Sequence, residues 1–245
     1  MAKAFGVAHK CALPVAGIPM LQRVLQALCD AHVRRPILVS IDDASAGQSA
    51  AGSLVHHVAM VQSSASAPAS AREAVVAAAS FPVLVTTGDH ALLTPDMVRE
   101  FCVKATASGA DFCAGLATAE TILAAYPETK RTFFRLGNDR VSGCNLFAVL
   151  SPKGLALFDV WHGLEKNRKK PWKLVAAFGL RPLLMFLLGR LGLDAAFSEV
   201  SRRLGFRIVP VLMSSAEAAI DVDKPSDHAL AEMIIRTRMK NQAKT

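Results

Sequence analysis

Carboxylates lie next to a predicted strand and next to a predicted helix, in two distant parts of the chain. Asp89 comes directly after the apolar run 83–87, and Asp221 and Asp223 stand just before a helical pattern that begins near Pro225. A continuous apolar run is typical of a buried parallel strand, whose carboxyl end is where open α/β sheets bind ligands. Oxygen ligands from two loops suit Mg²⁺ with bound phosphates, because this ion takes only one or two protein carboxylates. We therefore predict a magnesium–phosphate site, with ordinary turn or helix-cap roles as the alternative.

Cations suited to phosphate binding lie in two other segments. Lys10 stands in a short apolar segment before Pro14, where its ammonium can contact phosphate oxygens as a point charge. The segment 166–173 holds five cations and Trp172, directly before the apolar stretch 174–193. This segment is predicted to clamp the phosphate of an acceptor or to contact anionic lipid headgroups, and a solvated loop is the alternative. The clamp cations are Arg168, Lys169, Lys170 and Lys173.

Composition narrows the class of protein. The 245 residues are 52% hydrophobic, which excludes a disordered chain, and 28 Lys and Arg against 20 Asp and Glu give a net charge of +8. The excess lies after residue 128 and indicates an anionic partner. No nucleic acid is expected, because a single tyrosine and no basic–aromatic interleaving are present. Five scattered cysteines and no signal-peptide pattern predict a cytoplasmic protein.

Short β-branched runs alternate with helical patterns, which predicts an α/β fold with a mostly parallel Rossmann-like sheet and helices on both faces. The small-residue segment 62–71 is predicted to be a loop. The stretch 174–193 is predicted to be buried rather than docked on a membrane, because Arg181 and Arg190 are nine residues apart and would point to opposite faces of one helix. Strands are predicted at 36–41, 83–87, 112–116, 132–136, 145–150 and 207–212. Helices are predicted at 19–32, 70–80, 95–108, 152–164, 171–191, 194–204 and 225–240.

Five segments occur in a recognisable order: HKCALPVAGIPMLQRVL from His9, PASAREAV from Pro68, VLVTTGDHALLTPDMV from Val83, SGCNLF from Ser142, and DVDKPSDHALAE from Asp221. This order resembles the MobA-like nucleotidyltransferases, the family of the molybdenum-cofactor guanylyltransferase and related cytidylyl- and guanylyltransferases. In that family the first segment is similar to K-x-L-x-P-x-x-G-x-P-x-L, the third carries a metal-binding Asp, and the last is similar to D-x-D-T-P-E-D-L.

The resemblance implies a GT-A-like nucleotide-diphospho-sugar transferase fold and Mg²⁺-dependent transfer of NMP from an NTP, with CTP or GTP expected, to a phosphorylated small-molecule or lipid-like acceptor. Pyrophosphate is the other product. Lys10 and Asp89 would be catalytic. The resemblance assigns nucleotide binding to Lys10, Pro14, Ser70, Gly88 and Asp89, metal binding to Asp89 and Asp223 with Asp221 as a lesser candidate, and acceptor binding to Asn145. The clamp cations are predicted to bind the acceptor from their charge alone. The whole chain, 1–245, would form one domain, with 1–127 binding nucleotide, 128–224 binding acceptor, and the helix 225–240 closing it.

One departure from the family pattern leaves alternatives open. Family members begin with a strand and a glycine-rich loop whose N–H groups cradle phosphates, and this sequence starts after that point. We expect either a start further upstream or a non-catalytic nucleotide-binding relative that lost its phosphate loop. A GT-A-type glycosyltransferase with Asp221-Val222-Asp223 as its D-x-D is the other alternative. Peripheral contact with the inner face of the membrane through 166–193 is an alternative to a purely cytoplasmic location, and the oligomeric state stays open.

Overall fold

The computed structural model describes residues 6–7, 9–129, 131–164, 171–176 and 179–242. The helices are α1 Met20–Asp30, α2 Ala44–Ala51, α3 Ala67–Ala77, α4 Pro95–Ala107, α5 Ala119–Ala125, α6 Ala156–Leu164, α7 Pro171–Ala176, α8 Leu180–Leu187, α9 Leu193–Leu204 and α10 Pro225–Gln242. The strands are β1 Pro14–Val15, β2 Ile18–Pro19, β3 Ile37–Ile41, β4 Val58–Gln62, β5 Val83–Thr86, β6 Phe112–Thr118, β7 Phe134–Leu136, β8 Asp139–Val149 and β9 Ile208–Leu212. Short 3₁₀ turns lie at Lys10–Ala12, Gly52–His57, Pro152–Leu155 and Ala216–Ala219.

The chain divides into two units. Unit 1 comprises Met1–Ser63, Thr86–Arg99 and Ile220–Thr245, and unit 2 comprises Ser64–Val85 and Glu100–Ala219. In unit 1, β3 and β4 pair in parallel, joined by a connection that contains α2. Apolar residues of α1 recur every three or four positions and bury one face of the helix, where Leu21 and Leu25 pack with Val39 of β3.

Unit 2 is built on a five-stranded sheet in which β5, β8, β6 and β9 follow one another and β7 pairs with β8. β6 is antiparallel to β8 and parallel to β9. The core beneath it contains Phe112 and Phe158, whose rings meet edge to face with centroids 5.8 Å apart, and the apolar side chains Val149 and Ile208. Gly154 must be glycine here, because a Cβ would lie 2.4 Å from the carbonyl oxygen of Asp111.

The predicted α/β class is confirmed, and each predicted strand has a counterpart in β3, β5, β6, β7, β8 or β9. The pairings also include antiparallel ones, because β7 and β8 are joined by the tight turn at Gly137, whose φ is +60°. The prediction of a loop over 62–71 was wrong in part, because α3 begins at Ala67 after the cap residue Ser66, whose hydroxyl accepts the Ala69 N–H. The strands β1, β2 and β4 and the helices α2 and α5 were not predicted.

The predicted helix 171–191 is instead two helices. α7 ends at Ala176 and α8 begins at Leu180, after Gly179 with φ +121°, a backbone conformation that glycine adopts readily. The predicted burial of 174–193 was wrong for one face of α8, whose leucines are exposed. Arg190 lies beyond the end of α8, so its spacing from Arg181 says nothing about opposite helix faces. Within the described residues no helix has the length and hydrophobicity needed to cross a membrane.

Candidate active site

Lys10 joins the two distant carboxylates that the sequence pattern predicts as metal ligands. Its Nζ lies 2.5 Å from Oδ2 of Asp89 and 2.5 Å from Oδ1 of Asp223. All three residues belong to unit 1, although 79 and 213 positions of sequence separate Lys10 from its two partners. The two carboxylate oxygens are therefore no further apart than twice the distance from either to the ammonium. Two acids and one cation form a single polar cluster.

Two backbone hydrogen bonds fix the turn that carries Asp89. The amide of His90 donates to the carbonyl of Thr87, and the amide of Val222 donates to the carbonyl of Asp89 at 3.3 Å. The second bond connects this turn to the segment that bears Asp223. A Cβ at Gly88 would lie 3.7 Å from Cβ of Cys11, which is ordinary van der Waals contact, so the turn also passes close to the segment of Lys10.

The side chain of Asp227, and not that of Asp223, accepts hydrogen bonds from the backbone N–H groups just before α10. Its Oδ2 accepts the N–H groups of Asp223 at 3.1 Å and of Lys224 at 3.0 Å. The carboxylate at the third helical position thus reaches back to the residue before the helix, as in a capping box. This arrangement leaves the Asp223 side chain available to Lys10. The spacing of Asp227 from Lys224 is the signal in the sequence from which this role could have been predicted.

The cluster keeps Lys10 charged. Burial of its ammonium lowers the pKa of Lys10, but hydrogen bonds to Asp223 and Asp89 outweigh burial and raise that pKa above its ordinary value. Lys10 is therefore a cation throughout the physiological pH range. Asp89 is the more enclosed acid, with 19% of its side chain exposed against 59% for Asp223. The cluster thus has a protected side at Asp89 and an open side at Asp223.

The donor set fits a hard cation. Oδ1 of Asp89 is buried without a hydrogen-bond partner, and so are the hydroxyl oxygens of Thr86 and Thr87 in the same turn. A buried carboxylate oxygen without a partner is costly unless a ligand satisfies it. Among the described residues no group of three or more His, Cys, Asp or Glu side chains is placed to hold a metal. Two carboxylates suffice for Mg²⁺, which completes its shell with water and substrate phosphates.

The hairpin of β1 and β2 follows Lys10 directly and turns through Ala16 and Gly17, which have φ +48° and +77°. Positive φ at both central residues is typical of the tight type I′ turn. Arg23 of α1 donates through Nε to the carbonyl of Val15 and through Nη2 to that of Ala16. The helix that follows the hairpin therefore fixes its tip.

The helix α10 holds the other side of this hairpin. His228 Nε2 lies 2.8 Å from the carbonyl oxygen of Pro14, and the Ala16 N–H donates to Glu232. This bond from the Ala16 amide, with Arg236 on the same helix, lowers the pKa of the Glu232 carboxyl. Sequence reasoning did not predict these contacts, because no local pattern at His228 or Glu232 indicates a partner in the hairpin.

Comparison with protein families identifies the chain. A sequence model described as MobA-like NTP transferase domain matches residues 1–143. The chain belongs to this family. The match contains Lys10 and Asp89, and Asp223 lies beyond it. The family that the sequence motifs resemble is therefore confirmed.

Several solved structures of transferases and synthetases share the fold. A hypothetical transferase from Thermus thermophilus is 29% identical, covers 93% of each chain and has a TM-score of 0.70. The CMP:2-keto-3-deoxy-manno-octonic acid synthetase complexed with CTP is 13% identical, covers 94% of this chain and 92% of its own, and has a TM-score of 0.58. The 2-C-methyl-D-erythritol 4-phosphate cytidylyltransferase from Thermus thermophilus is 18% identical over 93% of each chain, with a TM-score of 0.51. The comparison with curated proteins found no match.

The other residues predicted for the site lie in both units or outside the described residues. Pro14 begins β1, and Asp221 is half-buried two positions before Asp223. Ser70 belongs to α3 of unit 2, and its hydroxyl accepts the Ser64 N–H at 2.8 Å. Of the clamp cations, Arg168, Lys169 and Lys170 lie outside the described residues, and Lys173 is in α7, where its side chain is not described.

Asn145 occupies a bulge in β8 of unit 2. Ala114 faces Phe147 and Leu116 faces Gly143, so β8 carries two more residues than β6 over this stretch. Asn145 lies in the extra segment with φ +50°, a left-handed conformation that asparagine tolerates better than most residues. Bulges re-aim side chains and are common beside functional sites. The backbone at Asn145 thus has a conformation that the sequence pattern did not predict.

Proposed function

We propose that this protein is a Mg²⁺-dependent nucleotidyltransferase that transfers CMP from CTP to a phosphorylated small-molecule or lipid-like acceptor and releases pyrophosphate. The observation that carries the proposal is the cluster of Lys10, Asp89 and Asp223 in a chain of the MobA-like family. CTP is preferred to GTP because one structure of this fold holds CTP and another is a cytidylyltransferase. The named acceptor of that cytidylyltransferase is a phosphate ester, which supports a phosphorylated acceptor here.

The proposed reaction exchanges one phosphoanhydride bond for another. An oxygen of the acceptor phosphate forms a bond to the α-phosphorus of CTP, and the bond from that phosphorus to the oxygen bridging to the β-phosphorus breaks. The electron pair leaves with pyrophosphate. Such a transfer requires in-line positioning and charge neutralisation and no protein nucleophile, so a cluster without a catalytic serine or cysteine suffices.

The three residues have different roles, which follow from their charges. Lys10 stays protonated and offers its ammonium to triphosphate oxygens, to which a lysine binds as a point charge. Asp89 and Asp223 would hold Mg²⁺, with the buried Oδ1 of Asp89 as the protected ligand oxygen. When bound, Mg²⁺ would neutralise negative charge on the triphosphate as the pyrophosphate leaves. Asp227 positions Asp223 by fixing its backbone N–H.

The test is a pyrophosphate-release assay with Mg²⁺, each of the four NTPs and a panel of sugar, polyol and glycerol phosphates. We expect release with CTP and one class of phosphate ester. Asp89→Asn should lower turnover on the order of a hundredfold or more, because a metal ligand contributes several kcal/mol to the transition state. Asp96→Asn is the matched control, since Asp96 lies in the same unit with its side chain 90% exposed and paired to Arg99.

The outcomes separate the proposed reaction from the other functions. A glycosyltransferase would consume a sugar nucleotide and release no pyrophosphate from an NTP, and a non-catalytic relative would bind nucleotide without turnover. Equal activity of wild type and Asp89→Asn would remove Asp89 from the site. Equal loss in Asp96→Asn would show that any change of charge in this segment is damaging and would contradict a specific metal ligand.

A further inference from the structure

The outer face of α8 is an exposed stripe of leucines. Leu180, Leu184 and Leu187 of α8 and Leu188, which follows its last residue, are between 50% and 70% exposed. Their spacing of four, three and one places them on one side of the helix, since a helix turns through about 3.6 residues. We name these four side chains the leucine stripe. So many large apolar side chains side by side on a surface are typical of an interaction site.

The opposite face of α8 is fixed to unit 2. Pro182 is buried, and Met185 lines a cleft of which Ala195 and Ser198 of α9 form the other side. The turn after α8 is held as well, because Asp139 of β8 accepts the Leu193 N–H at 3.1 Å. The leucine stripe is therefore the outward side of an anchored helix, and the fold as described does not cover it.

The segment that contains the leucine stripe is basic in sequence, and Glu199 of α9 is an acid that lies near Arg181. Residues 166–193 contain seven Lys and Arg and no Asp or Glu. Arg181 and Arg190 flank the stripe and are exposed, and Trp172 of α7 is 49% exposed. Leucines that enter the acyl boundary, cations at the headgroups and an indole at the interface are the components of a helix that lies on an anionic membrane.

A second copy of the chain fits this surface poorly. A twofold dimer would place the same patch against itself, and the cations of each copy would then face those of the other. An anionic bilayer instead complements both the leucines and the cations. We propose that the leucine stripe and its flanking cations bind the surface of an anionic lipid bilayer, with α8 lying in the plane of the interface. This binding requires neither nucleotide nor acceptor, so it is independent of the proposed transfer reaction.

The test is co-sedimentation of the full chain with vesicles, without nucleotide. One set is phosphatidylcholine alone and the other is equimolar phosphatidylcholine and phosphatidylglycerol. We expect at least about tenfold stronger binding to the anionic vesicles, weakened by added salt. Leu184→Glu with Leu188→Glu should reduce that binding by about tenfold or more, because it places acids at the interface. The matched control is Val76→Glu with Val103→Glu, two exposed apolar residues away from α8.

A second variant keeps the test independent of the leucines. Arg190→Gln removes one exposed charge and should weaken binding to anionic vesicles about fivefold, with no change on phosphatidylcholine. Equal binding to both vesicle types, no binding to either, or an equal loss in the valine control would overturn the proposal. So would a dimer, seen by light scattering, that is lost in the double leucine variant while vesicle binding is absent, since it would assign the stripe to a second copy.

Discussion

The substitution Lys10→Met tests whether Lys10 holds two mutually repelling carboxylates together. Without the ammonium, the oxygens of Asp89 and Asp223 that now bind it would face one another at no more than about 5 Å, twice the 2.5 Å that separates each from Nζ. At that distance two unit charges repel by about 1 kcal/mol in water and by about 3 kcal/mol at the effective dielectric constant near a protein surface. Because Asp223 is mostly exposed, we expect a loss of about 1–2 kcal/mol in the free energy of unfolding.

Thermal and urea unfolding measure this loss, and for a chain of this size it corresponds to a fall in Tm of about 3–6 °C. Millimolar Mg²⁺ should stabilise Lys10→Met more than the wild type, because a divalent cation can replace the ammonium between the two acids. Lys104→Met is the control, since Lys104 pairs with Glu100 in unit 2.

The reasoning would be refuted by a Lys10→Met protein as stable as the wild type at neutral pH. A Mg²⁺ response of equal size in Lys104→Met would assign the metal effect to the protein surface in general.

Three further predictions concern the structure that supports the site and the core of unit 2. Gly154→Ala should lower the free energy of unfolding by about 1–3 kcal/mol, because its Cβ would collide with a carbonyl oxygen, whereas Gly143→Ala should change it little. Asp227→Ala should cost about 1–2 kcal/mol, because two backbone N–H groups before α10 lose their acceptor. The lowered pKa of Glu232 contributes stability above about pH 4 that is lost as the pH falls through that lowered value, so Glu232→Gln should flatten acid unfolding. Urea unfolding at several pH values checks all three. Equal effects of the two glycine substitutions would contradict the steric argument. An Asp227→Ala protein of wild-type stability would show that water replaces the carboxylate at no cost. Acid unfolding of the same steepness in Glu232→Gln and wild type would show that another group controls the acid limb.

The three residues of the cluster could be selected from the sequence because each has a local signal, although their ion pairs could not. Asp89 follows an apolar strand, Asp223 precedes a helix with proline at its first position, and Lys10 interrupts an apolar segment. Strand ends in an α/β fold converge at one edge of a sheet, so residues far apart in sequence could be expected to meet. The structure brings together these three of the residues that the motifs single out.

Other features depend on contacts that no local pattern encodes. The helix α10 binds the β1–β2 hairpin through a hydrogen bond from the amide of Ala16 to Glu232, which connects the two ends of the chain. The bulge at Asn145 arises from an unequal count of residues in β6 and β8 and is visible only once the strands are paired. The break before α8 rests on the backbone of Gly179, a residue that an apolar helix can otherwise contain at modest cost.

The most direct test of the proposed site is calorimetric titration of CTP into the wild-type chain, with and without Mg²⁺, and into a variant with Asp89→Asn and Asp223→Asn. We expect Mg²⁺ to tighten CTP binding by about tenfold or more in the wild type, about 1.4 kcal/mol, and to have no effect in the variant. CTP binding of equal strength with and without Mg²⁺, or an unchanged Mg²⁺ effect in the variant, would contradict the assignment of these two carboxylates as the metal ligands.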